Sequence, residues 1–305
     1  MNNVLVFPGQ GSQSIGMMKS YTSNVVKEVF SKASEIINED LLGLVENENE
    51  KINQTIYTQP IMLAAGYATF LILKDKKPSF SFDFLAGHSL GEITALLAGD
   101  VFSYEDSIKI VKKRSELMQN AVPEGKGAMA AILGLEDEKV EQICADLKDH
   151  GVIEPVNYNS PGQIVIAGEK ELIESSLEKF KEQGAKRALL LPVSVPSHCS
   201  LMKEAGQSFS DYLDQIVFNE PNVPIIQNVN AKPTVNPDDL KRNLVAQLFN
   251  PVRWTESVKL MEGEGLNCLV ECGPGKVLTG LNKRILQPSD TKVLSLISDE
   301  SFNEL

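Results

Sequence analysis

Short apolar runs alternate with longer amphipathic stretches along the first part of the chain. Residues 4–7 form an apolar run that closes at the turn-forming segment 8–11. Helical spacing follows around 23–37 and 60–74, and again from about 105 to 120. Short strands that alternate with helices indicate an α/β fold with a largely parallel sheet.

The pattern changes near Gly127. The predicted order is strand 127–133, helix 140–147, strands 152–158 and 163–167, helix 173–180 and strand 188–193. This βαββαβ order is ferredoxin-like. We therefore expect residues 126–195 to form a small ferredoxin-like subdomain. It would be inserted into a large α/β-hydrolase-like domain with a mostly parallel sheet, built from residues 1–125 and 196–305.

Composition limits the classes of function. The 305 residues are 42% hydrophobic and 23% charged, as in ordinary globular proteins, and the net charge is −12. That charge argues against a nucleic-acid partner. The four cysteines form no CxxC pair, so neither a zinc site nor a disulfide framework is predicted. The most apolar stretch, 61–73, is shorter than a bilayer span, and no targeting signal is visible. We expect a cytoplasmic protein with no membrane partner.

A candidate nucleophile lies in the sequence Gly87-His88-Ser89-Leu90-Gly91, which follows an apolar run and precedes a helix-like stretch. A serine at a sharp strand-to-helix turn has an exposed hydroxyl, and the helix N-terminus offers N–H groups to an anion. The flanking glycines are expected because a Cβ there would block the turn and crowd the substrate.

A serine nucleophile needs a general base, and the chain has only three histidines. His88 adjoins Ser89, so its side chain is expected to leave the turn in another direction. His150 lies in a charged turn and is expected to be solvated. His198 lies where the chain returns from the small subdomain, and a crevice between domains is a common place for a site. Elimination therefore selects His198.

Arg114 lies on the apolar side of a predicted helix, among positions such as Ile110, Val111 and Met118. Ser103 and Asp106 have capping-box spacing at the start of this helix. A buried guanidinium must meet an anion. The anion is either an internal carboxylate or a substrate carboxylate, and the residues alone leave both open.

With these residues in hand, the whole chain resembles the malonyl-CoA:acyl carrier protein transacylases of bacterial fatty acid synthesis. The resemblance rests on seven ordered blocks: FPGQGSQ at 7–13, GHSLGE at 87–92, AVPEGKGAMAAI at 121–132, VNYNSPGQIVIAG at 156–168, LPVSVPSHC at 191–199, NPVRWTESV at 250–258 and ECGPGKVLTGL at 271–281.

The resemblance implies roles for the matched positions. Ser89 would be the nucleophile and His198 the base. The backbone N–H groups of Gln10 and Leu90 would form the oxyanion hole. The main-chain carbonyl of Gln247 would orient the histidine, which leaves the Gln247 side chain replaceable. For the substrate, the resemblance implies that Arg114 binds the malonyl carboxylate, and Met118 is expected beside it.

The implied reaction is ping-pong transfer from malonyl-CoA, through a malonyl-serine ester, to the phosphopantetheine thiol of acyl carrier protein. No metal and no cofactor are expected, and the protein is expected to be a monomer. Because acyl carrier proteins are acidic, a basic patch is expected near the mouth of the site. The candidate residues are Lys186, Arg187, Lys276, Lys283 and Arg284. The glycine-rich segment 273–281 lacks Walker spacing and is interpreted as a strand-to-helix connection.

Three alternatives remain at this point. A serine thioesterase or other hydrolase would share Ser89 and His198 but would place a carboxylate behind the histidine. A malonyl-loading enzyme of a polyketide pathway would use the same chemistry. A non-catalytic carrier-binding subunit would be expected to lack Ser89, His198 or Arg114, and all three are present.

Overall fold

The computed structural model describes residues 2–193 and 195–305. Its strands are β1 (Asn2–Phe7), β2 (Phe84–Gly87), β3 (Gly127–Leu133), β4 (Ile153–Ser160), β5 (Gln163–Glu169), β6 (Arg187–Leu190), β7 (Ile225–Gln227), β8 (Lys232–Thr234), β9 (Leu266–Cys272) and β10 (Lys292–Leu296). Its α-helices are α1 (Val25–Ile37), α2 (Leu41–Glu46), α3 (Thr55–Lys76), α4 (Leu90–Ala98), α5 (Tyr104–Asn120), α6 (Asp137–Leu147), α7 (Lys170–Glu182), α8 (Lys203–Leu213), α9 (Pro237–Ala246), α10 (Trp254–Gly263) and α11 (Val277–Ile285). Short 3₁₀ turns include Ser200–Met202 and Gln247–Phe249.

The larger sheet has the strand order β10-β9-β1-β2-β7-β8 and is parallel except for β8. Its central strand β1 is buried on both faces. Leu5 and Phe7 belong to one hydrophobic core, and Val4 and Val6 belong to another on the opposite face. A sheet covered on both faces is the arrangement expected of an α/β protein, so this part of the fold prediction is confirmed.

The smaller sheet has the strand order β4-β5-β3-β6, with every pair antiparallel. The chain order β3-α6-β4-β5-α7-β6 is the predicted ferredoxin-like pattern, which the structure confirms. Strand β6 ends at Leu190, whereas the sequence predicted that it would extend to residue 193. Leu191 still donates its N–H to Met129 O at 2.9 Å. Pro192 then follows, and it has no N–H with which to continue the ladder.

Helix α3 is longer than predicted, with 22 residues where the periodicity indicated 60–74. Within the described ranges, α3 alone is long and apolar enough to cross a membrane by length and composition. However, 78% of its most apolar window lies buried inside the fold. Its neighbours there are α1, α4 and α5. This burial accounts for its apolar composition.

Strand β4 links the smaller sheet to the segment before α10. It pairs with β5 along one edge, and along its other edge it bonds to this segment. Tyr158 N–H donates to Val252 O at 3.0 Å, and Val252 N–H donates to Val156 O at 2.9 Å. The Thr255 hydroxyl adds a bond to Tyr158 O at 3.0 Å. The walls of the cleft between the sheets are therefore linked by backbone hydrogen bonds.

Candidate active site

Ser89 occupies the predicted turn between β2 and α4, with φ 51° and ψ −107°. The two glycines of the motif are required by the chain itself. A Cβ on Gly87 would lie 1.9 Å from the carbonyl of Gly91. A Cβ on Gly91 would lie 2.0 Å from the carbonyl oxygen of Phe7. The prediction that a Cβ would block the turn is therefore confirmed, because both clashes are with the protein backbone.

His198 lies beside the nucleophile, as predicted. Its Nε2 is 2.8 Å from Ser89 Oγ, and its Nδ1 is 2.7 Å from the backbone carbonyl of Gln247. A carbonyl can only accept, so Nδ1 carries the proton and Nε2 accepts the serine hydroxyl. Burial first, and the charge of Arg114 second, lower the pKa of His198 to about 3. The imidazole is thus neutral and ready to take a proton at pH 7.

The other two histidines lie where the sequence placed them. His88 turns away from Ser89, and its Nε2 is 2.8 Å from Asn159 Oδ1 on β4. Burial lowers the pKa of His88, so its ring is a neutral bridge between the two sheets. His150 is exposed in its charged turn.

The predicted oxyanion-hole amides, those of Gln10 and Leu90, both belong to residues that line the same cavity. Strands β1 and β2 are parallel neighbours, so the turns that follow them meet at one edge of the sheet. A Cβ on Gly9 would lie 2.4 Å from His88 O, so only glycine lets the two turns approach this closely. Within residues 2–193 and 195–305, neither amide N–H has a hydrogen-bond acceptor, whereas Ser89 N–H donates to Asn228 Oδ1.

Arg114 is 1% exposed and points into this cavity from α5. Its Nη1 donates to Gln59 Oε1 at 2.9 Å, and its Nη2 donates to Gln247 Oε1 at 2.9 Å. Nη2 also lies 3.2 Å from Ser89 Oγ. Among the described residues, no carboxylate forms a salt bridge with Arg114, and its Nε has no partner. Burial lowers its pKa to about 10, which still leaves it cationic at neutral pH.

The side chain of Gln247 has more contacts than the sequence suggested. Its Oε1 accepts from Arg114, and its Nε2 donates to Ser89 O at 3.1 Å. One residue thus contacts the base through its backbone and the cation through its amide, so whether this side chain is replaceable stays a prediction that substitution of Gln247 tests.

Gln59 was missed altogether, since it lies in the apolar sequence of α3 with no motif around it. Its Nε2 lies 3.7 Å from the sulfur of Met118, which turns Oε1 towards Arg114. Met118, predicted to bind substrate, lines the cavity and also orients this amide.

The cavity has a volume of about 130 Å³ and lies between the two sheets. Met129, Asn157, Leu191 and Val193 line it from the smaller sheet and its flanking segment, opposite Ser89, His198 and Arg114. None of the five basic residues proposed for carrier binding lines this cavity. Arg284 is already engaged, since it donates to Gln163 Oε1 at 2.7 Å.

The glycine-rich segment 273–281 connects β9 to α11, as interpreted from the sequence. The buried carboxylate of Glu271 accepts from the N–H groups of Leu278 and Thr279 at 3.1 and 2.7 Å. The helix N-terminus is thus capped internally and does not present these groups to a phosphate. In the part of the chain that the structure describes, no cluster of three or more His, Cys, Asp or Glu side chains is arranged to hold a metal ion.

Comparison with known proteins identifies the class of this site. Residues 4–299 match the family described as the acyl transferase domain. The malonyl CoA-acyl carrier protein transacylase of Escherichia coli K12 is 46% identical over 302 residues, covering 97% of this chain and 96% of that protein. The acyl carrier protein S-malonyltransferase of Vibrio cholerae has a TM-score of 0.95 at 46% identity, with 100% and 99% of the two chains covered.

A malonyl-transacylase solved in complex with its type II PKS acyl-carrier protein has a TM-score of 0.96 at 42% identity. The match covers 99% of this chain and 98% of that one. The chain belongs to the acyl transferase domain family and, within it, to the malonyl CoA-acyl carrier protein transacylases.

Proposed function

We propose that this protein transfers a malonyl group from malonyl-CoA to the phosphopantetheine thiol of an acyl carrier protein. One observation carries the proposal. A serine–histidine pair at 2.8 Å lies beside a buried arginine that forms no salt bridge with a carboxylate of the described chain. The serine–histidine pair supplies an activated nucleophile, and the arginine supplies a binding site for an acyl group that ends in a carboxylate.

In the first half-reaction, Arg114 receives the malonyl carboxylate. Ser89 Oγ attacks the thioester carbonyl while His198 Nε2 takes the hydroxyl proton. The N–H groups of Gln10 and Leu90 donate hydrogen bonds to the carbonyl oxygen and stabilise the negative charge that develops on it. The C–S bond then breaks, the CoA sulfur takes the proton from His198 and leaves as the thiol, and a malonyl-serine ester remains.

In the second half-reaction, His198 takes the proton of the carrier thiol as its sulfur attacks the ester. The C–O bond to Ser89 breaks, and the proton on His198 returns to the serine oxygen. The same oxyanion hole serves both steps. The Gln247 carbonyl, 2.7 Å from Nδ1, stabilises the transient imidazolium, because Nδ1 carries a proton in both the neutral and the charged ring.

The hydrolase alternative is disfavoured by two features of the site. The group behind His198 is a backbone carbonyl, where a hydrolase of this motif would have a carboxylate. A buried cation also faces the acyl group, where a fatty acyl thioesterase would need apolar surface.

The test is the intact mass of the protein after brief mixing with malonyl-CoA, and again after addition of holo acyl carrier protein. We expect one malonyl adduct that is absent in Ser89→Ala and that moves to the carrier. Loss of the adduct to free malonate without a carrier would establish hydrolysis instead. Running fatty acid and polyketide carrier proteins side by side identifies the acceptor, because the adduct will move faster to its own carrier.

The remaining assignments are parts of the same proposal. We infer that residues 1–125 and 196–305 form the catalytic domain and 126–195 an inserted subdomain. The separate hydrophobic core of the smaller sheet supports this division. We infer a cytoplasmic monomer without cofactor. Size-exclusion chromatography with light scattering tests the oligomeric state. Malonyl transfer by metal-free, desalted protein tests whether a cofactor is needed.

A further inference from the structure

The strained turn at Ser89 is held by a side chain from another part of the chain. Asn228, which follows β7, is buried, and its Oδ1 accepts from Ser89 N–H at 2.7 Å. Its Nδ2 donates to Gly87 O at 2.7 Å. The amide orientation is fixed, because the first partner can only donate and the second can only accept. One side chain therefore spans the turn from the residue before His88 to the nucleophile.

A buried carboxylate fixes Asn228 in turn. Glu92, one helical turn after the nucleophile, accepts the backbone N–H of Asn228 at 2.6 Å and the Nε2 of Gln227 at 3.2 Å. It is 0% exposed. The nucleophile and Glu92 lie on the same turn and helix, so Asn228 is attached to this element through its side chain and its backbone.

From this geometry we infer that Asn228 is a positioning residue that holds Ser89 in its strained backbone conformation, and that Glu92 anchors it there. Ser89 has a positive φ, a backbone conformation that is energetically costly for a non-glycine residue. The two bonds from Asn228 compensate for that cost. They also direct Ser89 N–H away from the cavity, so that the next amide, Leu90 N–H, is the one left to face the substrate. This inference rests on the proposed role of Ser89.

The first test is Asn228→Ala, measured at a temperature well below its unfolding midpoint. Both half-reactions should slow by about 100-fold, the usual consequence of misplacing a reacting group by about 1 Å. The KM for malonyl-CoA should stay within about twofold, because Arg114 is untouched. Asn230→Ala is the matched control. Asn230 lies two residues further along the chain, and its Oδ1 accepts only the nearby Lys232 N–H. The Asn230→Ala variant should therefore have the same rates as the wild type.

Asn228→Asp gives a readout that a purely structural role would not produce. An ionised carboxylate still accepts from Ser89 N–H, but its second oxygen repels Gly87 O. A protonated carboxyl donates to Gly87 O and restores both bonds. Activity relative to wild type should therefore rise as pH falls from 8 to 5, whereas Asn228→Ala should show no such recovery.

Other titrating groups surround this position, and wild type measured at each pH corrects for them. In the described chain, the titratable or charged residues that bond to Asn228, Ser89 or Gln247 are Glu92, Arg114, His198 and Arg253, and His88 precedes Ser89 in the turn. Burial raises the carboxyl pKa of an introduced aspartate, which moves its titration towards the range measured.

Three results would overturn the inference. They are a wild-type rate in Asn228→Ala, a rise in KM that accounts for the whole loss, and an Asn228→Asp profile parallel to wild type. A fluorophosphonate probe that reacts with Ser89 measures the same positioning without any acyl donor. If wild type reacted with that probe but formed no malonyl adduct, the proposed function would be wrong. The role of Asn228 could still be tested by comparing the rates of probe labelling in wild type and Asn228→Ala.

Discussion

The Nη2 atom of Arg114 lies 3.2 Å from the Oγ atom of Ser89, so the buried cation of this site touches its nucleophile. The same nitrogen donates to Gln247 Oε1 at 2.9 Å. A substrate carboxylate that binds the guanidinium is therefore brought directly to the reacting oxygen. In the proposed reaction, the side chain that selects the acyl group therefore also contacts the nucleophile that attacks it.

Removal of the Arg114 side chain should affect the rate with malonyl-CoA but not the rate with acetyl-CoA. We expect Arg114→Ala to lower kcat/KM for malonyl-CoA by about 100-fold, since a charge-assisted bond is worth about 1.5–3 kcal/mol. The value for acetyl-CoA, which has no carboxylate, should not fall. Initial rates with both donors measure the ratio. Arg242→Ala, which removes an exposed arginine paired with Asp239, is the control. An unchanged ratio would make Arg114 structural.

Gln247→Ala separates the two roles of that residue. The backbone carbonyl that orients His198 stays, so kcat should fall only a few-fold. The amide that holds Arg114 is lost, so KM for malonyl-CoA should rise by about tenfold, the effect of one hydrogen bond of about 1.4 kcal/mol. Asn250→Ala is the local control, because its side chain bonds only to Ala246 O. Wild-type KM in Gln247→Ala would show that the amide is dispensable.

His198 should make the fold sensitive to acid. Its pKa is about 3 in the fold and 6.5 in the unfolded chain, so between these values only the unfolded chain binds the proton. The free energy of unfolding should therefore fall as pH drops from 6.5 towards 3, by up to about 1.4 kcal/mol per pH unit. Urea unfolding of wild type and His198→Asn measures the difference, in which the titration of Glu92 cancels. Parallel curves would contradict this prediction.

The glycines of the turn should tolerate no side chain. Gly91→Ala places a Cβ 2.0 Å from Phe7 O, and the backbone must move to relieve it. We expect a loss of at least about 3 kcal/mol of stability together with loss of Ser89 labelling. Gly280→Ala on α11, where nothing lies within 4 Å, should be neutral or stabilising by up to about 1 kcal/mol. Equal effects of the two substitutions would refute the steric argument.

The features predicted from sequence were those that a local pattern encodes. The strand–turn–helix at Ser89 and the alternation in the smaller sheet follow from spacing along the chain. His198 was reachable because there were only two other histidines. Arg114 was reachable because a charge interrupted an apolar helix face.

The residues that were missed share a different property. Gln59, Asn228 and the side chain of Gln247, whose backbone role was predicted, are amides with partners 55, 139 and 133 residues away in sequence. No local pattern records such a bond, and an amide in an apolar stretch looks like any other polar residue. The early end of β6 was also missed, because it depends on Pro192 at an edge of the sheet.

The backbone bonds between β4 and Val252 have a consequence for how substrates enter. The two sheets cannot move apart without breaking these backbone hydrogen bonds and the hydrogen bond between His88 and Asn159. Each acyl donor and acceptor is then expected to insert its flexible arm into a cleft whose two walls stay linked. The turnover rate would then depend on how fast the arm of the acceptor replaces the arm of the donor, and not on opening and closing of the protein.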